Sequence, residues 1–161
     1  MKSARPAIAS IAITFVAAVV FYALAYSWLS RKQVVGGPWI VAFTNAIAGA
    51  PAIVIHQPQL GVSNVTVRFV GAETPASNAT GRVIFDQPKR PLPFGEVIHD
   101  DLMFLPGVVT LDLFGHEVEL QRALILNRQR FDWKSGATHS LFPTNKLPEA
   151  VRKAIKGAYR R

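Results

Sequence analysis

The chain has 161 residues, and 50% of them are apolar, which is more than a small globular domain usually carries. Cysteine is absent, so disulfide bridges, thiolate metal sites and cysteine nucleophiles are all excluded. The formal net charge is +8 at pH 7. A chain this basic points to an anionic partner surface, either lipid or protein.

The apolar excess lies near the amino terminus. Ala7 to Leu29 carries no formal charge, and a helix of that length spans about 35 Å at ~1.5 Å per residue. This length predicts a single transmembrane helix. The alternative is a cleaved signal peptide, since Lys2, Arg5 and Ala25 also fit the charged start and the small-residue cleavage site of such a segment. The run exceeds the ~7–15 apolar residues of a signal peptide, which favours a retained signal-anchor.

The predicted anchor places the protein in a membrane as a single-pass chain. We expect the inner membrane of a bacterium, with the amino terminus in the cytoplasm and the remainder in the cell envelope outside it. The aromatic residues at the end of the segment fit an interfacial belt, and the alanines permit close helix contacts. The predicted anchor residues are Ala7, Ala9, Ala12, Phe15, Ala17, Phe21, Tyr22, Tyr26 and Trp28.

The next hundred residues have the pattern of short strands. In VTVRF, Val65, Val67 and Phe69 alternate with polar residues, as a strand with one buried face requires. About seven such runs, separated by Gly and Pro turns, predict an all-β antiparallel sandwich or barrel-like domain. The predicted strands are 39–43, 52–55, 62–70, 82–85, 102–105, 108–113 and 117–126, the last with a bulge near Gln121.

One long irregular segment interrupts this pattern. Residues 86–95 include three prolines, which cannot donate hydrogen bonds to a sheet. The segment is either a surface connection or a partner-binding stretch. In the second case its contact residues are Lys89, Arg90 and Phe94.

A histidine and three acids lie close together between Val108 and Leu126. Around Phe114-Gly115 the alternation predicts a hairpin, with apolar residues on one face and the acids on the other. Binary patterning therefore explains the cluster as the wet face of a hairpin. The alternative is a divalent cation site, whose ligands would be His116, Glu117, Asp112 and His99.

Positive charge is concentrated at the carboxyl end. Residues 31–121 hold six basic and eight acidic residues, whereas residues 122–161 hold ten basic and two acidic ones. Residues 147–161 have an apolar residue at every fourth position and read as a basic amphipathic helix. This helix either docks on the β domain or lies on anionic lipid headgroups. Its predicted contact residues are Arg152, Lys153, Lys156, Arg160 and Arg161.

The predicted organisation is an anchor (1–30), a linker (31–37), an all-β domain (38–142) and a short basic C-terminal helix (143–161). With no catalytic motif in the sequence, we expect a non-enzymatic accessory or assembly subunit of a membrane protein complex, without cofactor, metal or nucleic acid. Its partners would be the lipid bilayer and other membrane protein subunits. Two alternatives remain: a membrane-tethered β-domain that binds lipid or another small envelope ligand, and a metal-dependent hydrolase.

Overall fold

The computed structural model describes residues 5–33, 36–45, 49–73 and 80–159, with side chains in the first helix described from Ile13 to Trp28. The chain divides into two compact units, Met1–Val35 and Gly36–Arg161. The first contains one long helix, α1, from Arg5 to Gln33. The second contains the strands and a short helix.

The predicted transmembrane helix, and with it the single-pass membrane location, is wrong for the part of the chain that the structure describes. No helix there is long and apolar enough to cross a membrane. Phe15, Phe21 and Tyr22 are exposed on α1, and Tyr22 stacks on Tyr26. The side chains of Ala7, Ala9 and Ala12 lie outside the described set.

Ten strands form two five-stranded sheets, which we call sheet A and sheet B. Sheet A has the order β10-β3-β2-β1-β4, and sheet B has the order β5-β6-β7-β8-β9. All neighbouring strands are antiparallel except β10 and β3, which are parallel. The strands are β1 (Trp39–Asn45), β2 (Pro51–Gln57), β3 (Val62–Phe69), β4 (Gly81–Phe85), β5 (Glu96–Asp101), β6 (Val108–Leu113), β7 (His116–Leu120), β8 (Leu124–Leu126), β9 (Gln129–Phe131) and β10 (Thr138–Leu141). Helix α2 is Glu149–Ala158, and two short 3-10 helices lie at Pro58–Leu60 and Pro143–Asn145.

The two sheets share one hydrophobic core. Alternate residues of each strand point inward, because successive side chains in a strand face opposite sides. Sheet A contributes residues such as Trp39, Phe43 and Phe69, and sheet B contributes Leu111 and Leu120 among others, all of them buried in one cluster. The all-β part of the predicted fold agrees with this sandwich.

The predicted hairpin around Phe114-Gly115 is confirmed. Strands β6 and β7 pair with Leu113 opposite His116 and Asp112 opposite Glu117. Phe114 and Gly115 both have positive φ, 53° and 85°, as a two-residue turn between twisted strands requires.

Two predicted strands differ from the structure. Leu102 to Leu105 is not a strand but the turn between β5 and β6, where Met103 and Phe104 are exposed. The predicted strand 117–126 is two strands, because the chain reverses between Leu120 and Leu124 instead of forming a bulge. Apolar content marked both segments, but it did not indicate which apolar residues would be buried.

Residues 86–95 connect β4 of sheet A with β5 of sheet B. Phe94 at the end of this connection is buried in the core, with its ring 4.9 Å from Phe43 and 5.1 Å from Phe114. Gly95 follows with φ 78°, and a Cβ there would lie only 2.5 Å from the Asp112 carbonyl oxygen. The connection is therefore fixed to the sandwich at this point.

Candidate interaction surface

The acids singled out in the sequence lie on the outer face of sheet B. The strand register places Glu96, Asp112 and Glu117 in one row across β5, β6 and β7. The next row holds His99, Thr110 and Glu119. An outer sheet face is normally solvated, yet Thr110, Asp112 and Glu117 are buried here.

Helix α2 covers this face at Asp112, because two basic residues of the helix reach that acid. Arg152 Nη2 donates to Asp112 Oδ2 at 2.8 Å, and Lys156 Nζ lies 2.7 Å from the same oxygen. Lys156 also donates to Glu96 Oε1. Ile155, on the same helix, is buried. The structure therefore shows the docked alternative for the basic C-terminal helix.

We call Asp112, Glu96, Arg152 and Lys156 the ion cluster. The pKa values of Asp112 and Lys156 shift in opposite directions. Burial alone would raise the pKa of Asp112, but the hydrogen bonds from Lys156 and Arg152 outweigh it and hold that pKa below its usual range. Hydrogen bonds from Lys156 to Asp112 and Glu96 raise the pKa of the lysine. Both groups are charged at neutral pH, so the ion cluster fastens α2 to sheet B.

For two other acids of the same face, burial outweighs the favourable interactions with nearby groups. Burial raises the pKa of Glu117. Within the described part of the chain, Glu117 Oε2 is buried without a hydrogen bond, and Arg128 Nε lies 3.9 Å from it. Burial also raises the pKa of Glu119. These carboxylates are held in an environment that disfavours their charged form.

Of the four candidate metal ligands, His116 lies on the inner face of sheet B and the other three lie on its outer face. His116 opposes Leu113 on the inner face, and its Nδ1 lies 3.0 Å from Asn127 Nδ2. Burial, together with the charge of Lys146, lowers the pKa of His116. Asp112 and Glu117 lie on the outer face, and His99 stacks on Tyr159 with ring centroids 4.2 Å apart. Among the described residues no three acids or histidines are grouped closely enough to hold a metal ion.

The predicted contact residues of segment 86–95 are divided between surface and core. Arg90 pairs with Asp86 at 2.8 Å, and the backbone nitrogen of Lys89 donates to Asp100. Phe94 lies in the core. On α2, Lys153 pairs with Glu149 within the helix and is exposed. Arg160 and Arg161 lie outside the described residues.

The outer face of sheet A contrasts with that of sheet B. Register and alternation place Ile84, Ile40 and His56 in one row, and Arg82, Ala42, Val54, Thr66 and Thr138 in the next. A third row is Thr44, Ala52, Arg68 and Ser140. None of these twelve residues is acidic. The apolar positions are flanked by two arginines and a histidine.

This sheet A outer face is accessible, unlike its counterpart. Ile84 is 40% exposed, and Ile40, Ala42 and Val54 are partly exposed, whereas only the small Ala52 is fully buried. Arg82 is exposed beside them at the edge strand. The centre of the face is therefore an accessible apolar patch on a sheet that is already buried on its other side.

Sequence reasoning did not single out this face. Its signal is nevertheless in the sequence, because WIVAF and AIVI are apolar at both alternating positions, whereas a strand with one solvated face alternates. Comparison with known protein families, curated proteins and solved structures finds no match to this chain.

Proposed function

We propose that this protein is a non-catalytic binding module of a protein assembly, whose sheet A outer face receives an acidic amphipathic helix of a partner protein. The observation that carries the proposal is the accessible patch of Ile40, Ala42, Val54 and Ile84 on a face without acidic residues. Exposed apolar patches with a polar rim are typical of protein contact surfaces.

The positive charge of the sheet A outer face favours an acidic partner over a basic one. Arg82 and Arg68 lie on the face itself, and His56 ends its first row. Acidic side chains of a bound helix would complement these groups and exclude basic partners. A hydrophobic stripe on that helix would cover Ile40, Val54 and Ile84.

The sandwich already accommodates one helix in this way. On sheet B, basic α2 covers part of an acidic sheet face through Arg152 and Lys156, and Ile155 of the helix is buried. The proposed complex repeats this arrangement with the charges reversed. Helix α2 of a second copy is itself basic, so it is a poor match for a face that carries arginines.

Designed peptides test the charge selectivity directly. Five strands spaced by ~4.8 Å make a face about 24 Å wide, which matches a helix of about 16 residues. The 161-residue chain is immobilised, and three peptides with the same leucine stripe are passed over it, their polar faces built from Glu, Gln or Lys. We expect the Glu peptide to bind most tightly and to weaken as salt is raised, because salt screens exposed charges.

A matched pair of substitutions locates the peptide. Ile84→Glu places a like charge in the patch and should weaken the Glu peptide at least about tenfold. Met103→Glu makes the same kind of change at a residue that is 80% exposed in the β5–β6 turn, and it should leave affinity unchanged. Equal affinity for the Lys peptide, or insensitivity to Ile84→Glu, would contradict the proposal.

A further inference from the structure

A cleft opens where the edge strands β9 and β10 bring the two sheets to the same side of the sandwich. Its volume is about 560 Å³, within the range of small-ligand sites. The register places Gln129 and Phe131 on the inward side of sheet B, opposite Leu126 and Leu124. His139 faces inward from sheet A, opposite Val67. We call this cleft the mouth of the sandwich.

Two polar side chains at the mouth have no hydrogen-bond partner among the described residues, whereas two polar side chains deeper in the fold have one. Gln57 in the interior bonds the Pro38 carbonyl oxygen at 3.1 Å, and His116 is bonded to Asn127. The side chains of Gln129 and His139 form no hydrogen bond within the described part of the chain. Gln129 is exposed and His139 is partly buried, so both side chains are available to bond a ligand that enters the cleft.

The lining of the mouth carries no charge. It consists of amides, one imidazole, hydroxyls and apolar groups, although the chain as a whole has a formal charge of +8. Burial lowers the pKa of His139, which keeps the ring neutral at pH 7. A charged ligand would lose water here without finding an opposite charge. The lining residues are Leu126, Asn127, Gln129, Phe131, Thr138, His139, Ser140, Leu141, Asn145 and Leu147.

The backbone of β10 adds further hydrogen-bonding groups. In a parallel pair, the N–H and C=O of one residue point to the same side, and alternate residues point to opposite sides. Ala137 and Leu141 accept from Thr66 and Val70 of sheet A, so Thr138 and Ser140 direct their backbone groups to the free edge. The mouth thus offers donors and acceptors side by side.

We infer that the mouth binds a neutral polyhydroxyl ligand, a sugar ring being the chemistry that fits. Hydroxyl groups both donate and accept, as the amide of Gln129, the imidazole of His139 and the β10 edge require. The C–H face of a sugar ring would pack on Phe131, whose ring centroid is 4.8 Å from that of His139. The mouth shares Thr138 and Ser140 with the edge of the sheet A outer face, but it does not include the apolar patch of Ile40, Ala42, Val54 and Ile84.

NMR titration of the isotope-labelled 161-residue chain tests the inference. The probes are maltose, cellobiose and lactose as neutral sugars, glucose 6-phosphate as a charged one, and a neutral tetrapeptide of Ser and Gly. We expect at least one disaccharide to shift the ring signals of His139 and the side-chain amide of Gln129 at millimolar concentration. The ring signals of His56, on the other side of sheet A, should not move.

Two substitutions determine whether those shifts report the mouth. Gln129→Leu and His139→Leu should each weaken the disaccharide about fivefold to tenfold, the loss of one hydrogen bond, while His56→Leu should not change affinity. The denaturation midpoint of each variant is compared with that of the parent chain. Gln129 is exposed, so Gln129→Leu should disturb folding least. No localised shift up to 50 mM, tighter binding of glucose 6-phosphate, or binding of the tetrapeptide alone would overturn the inference.

Discussion

Glu117 is the residue whose environment fits its charge least well. Its side chain is 11% exposed, and Oε2 has no hydrogen bond to any residue that the structure describes. Arg128, which is largely solvent-exposed, is too far for one at 3.9 Å. Burial raises the pKa of this carboxyl above its ordinary value of 4.5. A raised pKa for an acid means that its ionised form destabilises the folded state.

Replacing Glu117 with Gln should therefore stabilise the protein at neutral pH. The free energy of unfolding should increase by about 0.5–1 kcal/mol at pH 7.5, which is the order of the cost of leaving one buried polar group without a hydrogen bond. It should disappear below about pH 4.5, where the parent carboxyl is protonated in both states. Urea denaturation at the two pH values measures it.

Glu73→Gln is the control for this prediction, since Glu73 is exposed. It should change the free energy of unfolding by less than about 0.5 kcal/mol at either pH. A Glu117→Gln variant that is less stable than the parent at pH 7.5 would show that the carboxylate has a favourable partner and would contradict the argument.

At the scale of elements, α2 is held to sheet B through one of its faces. Lys156 and Lys153 are three residues apart on the same helix. Lys156 lies 2.7 Å from the Asp112 carboxylate, whereas Lys153 pairs with Glu149 of its own helix. The side chain of Lys156 is 28% exposed and that of Lys153 is 77% exposed. Substitutions at these two lysines therefore change the charge of the helix equally, but only the one at Lys156 disturbs its docking.

Lys156→Glu should destabilise the protein by about 2–3 kcal/mol, because a carboxylate would replace the cation between Asp112 and Glu96. Lys153→Glu, the matched change, should cost less than about 0.5 kcal/mol. Amide hydrogen exchange in α2 should accelerate in the first variant and remain at the parent rate in the second. Equal costs for the two variants would contradict the docking account.

The connection 86–95 is fixed by Phe94 rather than by its prolines. Phe94→Ala should cost about 3 kcal/mol, because it removes a ring that is packed against Phe43 and Phe114. Phe104→Ala, at a ring that is 54% exposed in the β5–β6 turn, should cost less than about 0.5 kcal/mol. A chemical denaturation midpoint that is the same in both variants would argue against a core role for Phe94.

For the whole molecule, the sequence pattern predicted the features that depend on neighbouring residues, which are single strands and tight turns. Alternation of Val65, Val67 and Phe69 predicted β3, and glycine at the reversal predicted the β6–β7 hairpin. The strand Glu96–Asp101 was missed because Asp100 and Asp101 are unusual in strands, although an edge strand tolerates them. The apolar residues Met103 and Phe104 predict a strand where the structure has a turn.

The contacts between distant elements were beyond reach of patterning. The acids of the hairpin and the basic face of α2 were both recognised, but their pairing joins residues 40 apart in sequence, such as Asp112 and Arg152. A short stretch of sequence does not indicate which of two surfaces a helix will cover. The sequence also favoured a membrane span, whereas no helix within the described ranges is long and apolar enough to be one.

The ion cluster under α2 should also set the pH range over which the whole sandwich is stable. Asp112 has a lowered pKa, so its contribution is complete above its ordinary value of 3.8 and is lost as the pH falls through the folded-state pKa. Lys156 has a raised pKa, so its contribution is complete below 10.5 and is lost as the pH rises through the folded-state pKa. Glu117 and Glu119 act in the opposite sense, since protonation relieves them as the pH falls towards 4.5.

Stability should therefore fall below about pH 3.8 and again above about pH 10.5. Between pH 7 and pH 4.5 two effects oppose each other: protonation relieves Glu117 and Glu119, whereas the lowered pKa values of His116 and His139 favour unfolding as the pH falls below 6.5. The fluorescence of Trp39 and Trp133, whose rings are 5.1 Å apart, follows unfolding in urea at each pH. Asp112→Asn should lower stability by about 2 kcal/mol at pH 7 and flatten the acid limb, because its partners Arg152 and Lys156 lose their anion. Asp132→Asn removes an acid that is 93% exposed and should leave the profile unchanged. An acid limb equally steep in Asp112→Asn and in the parent chain would show that another carboxylate controls it.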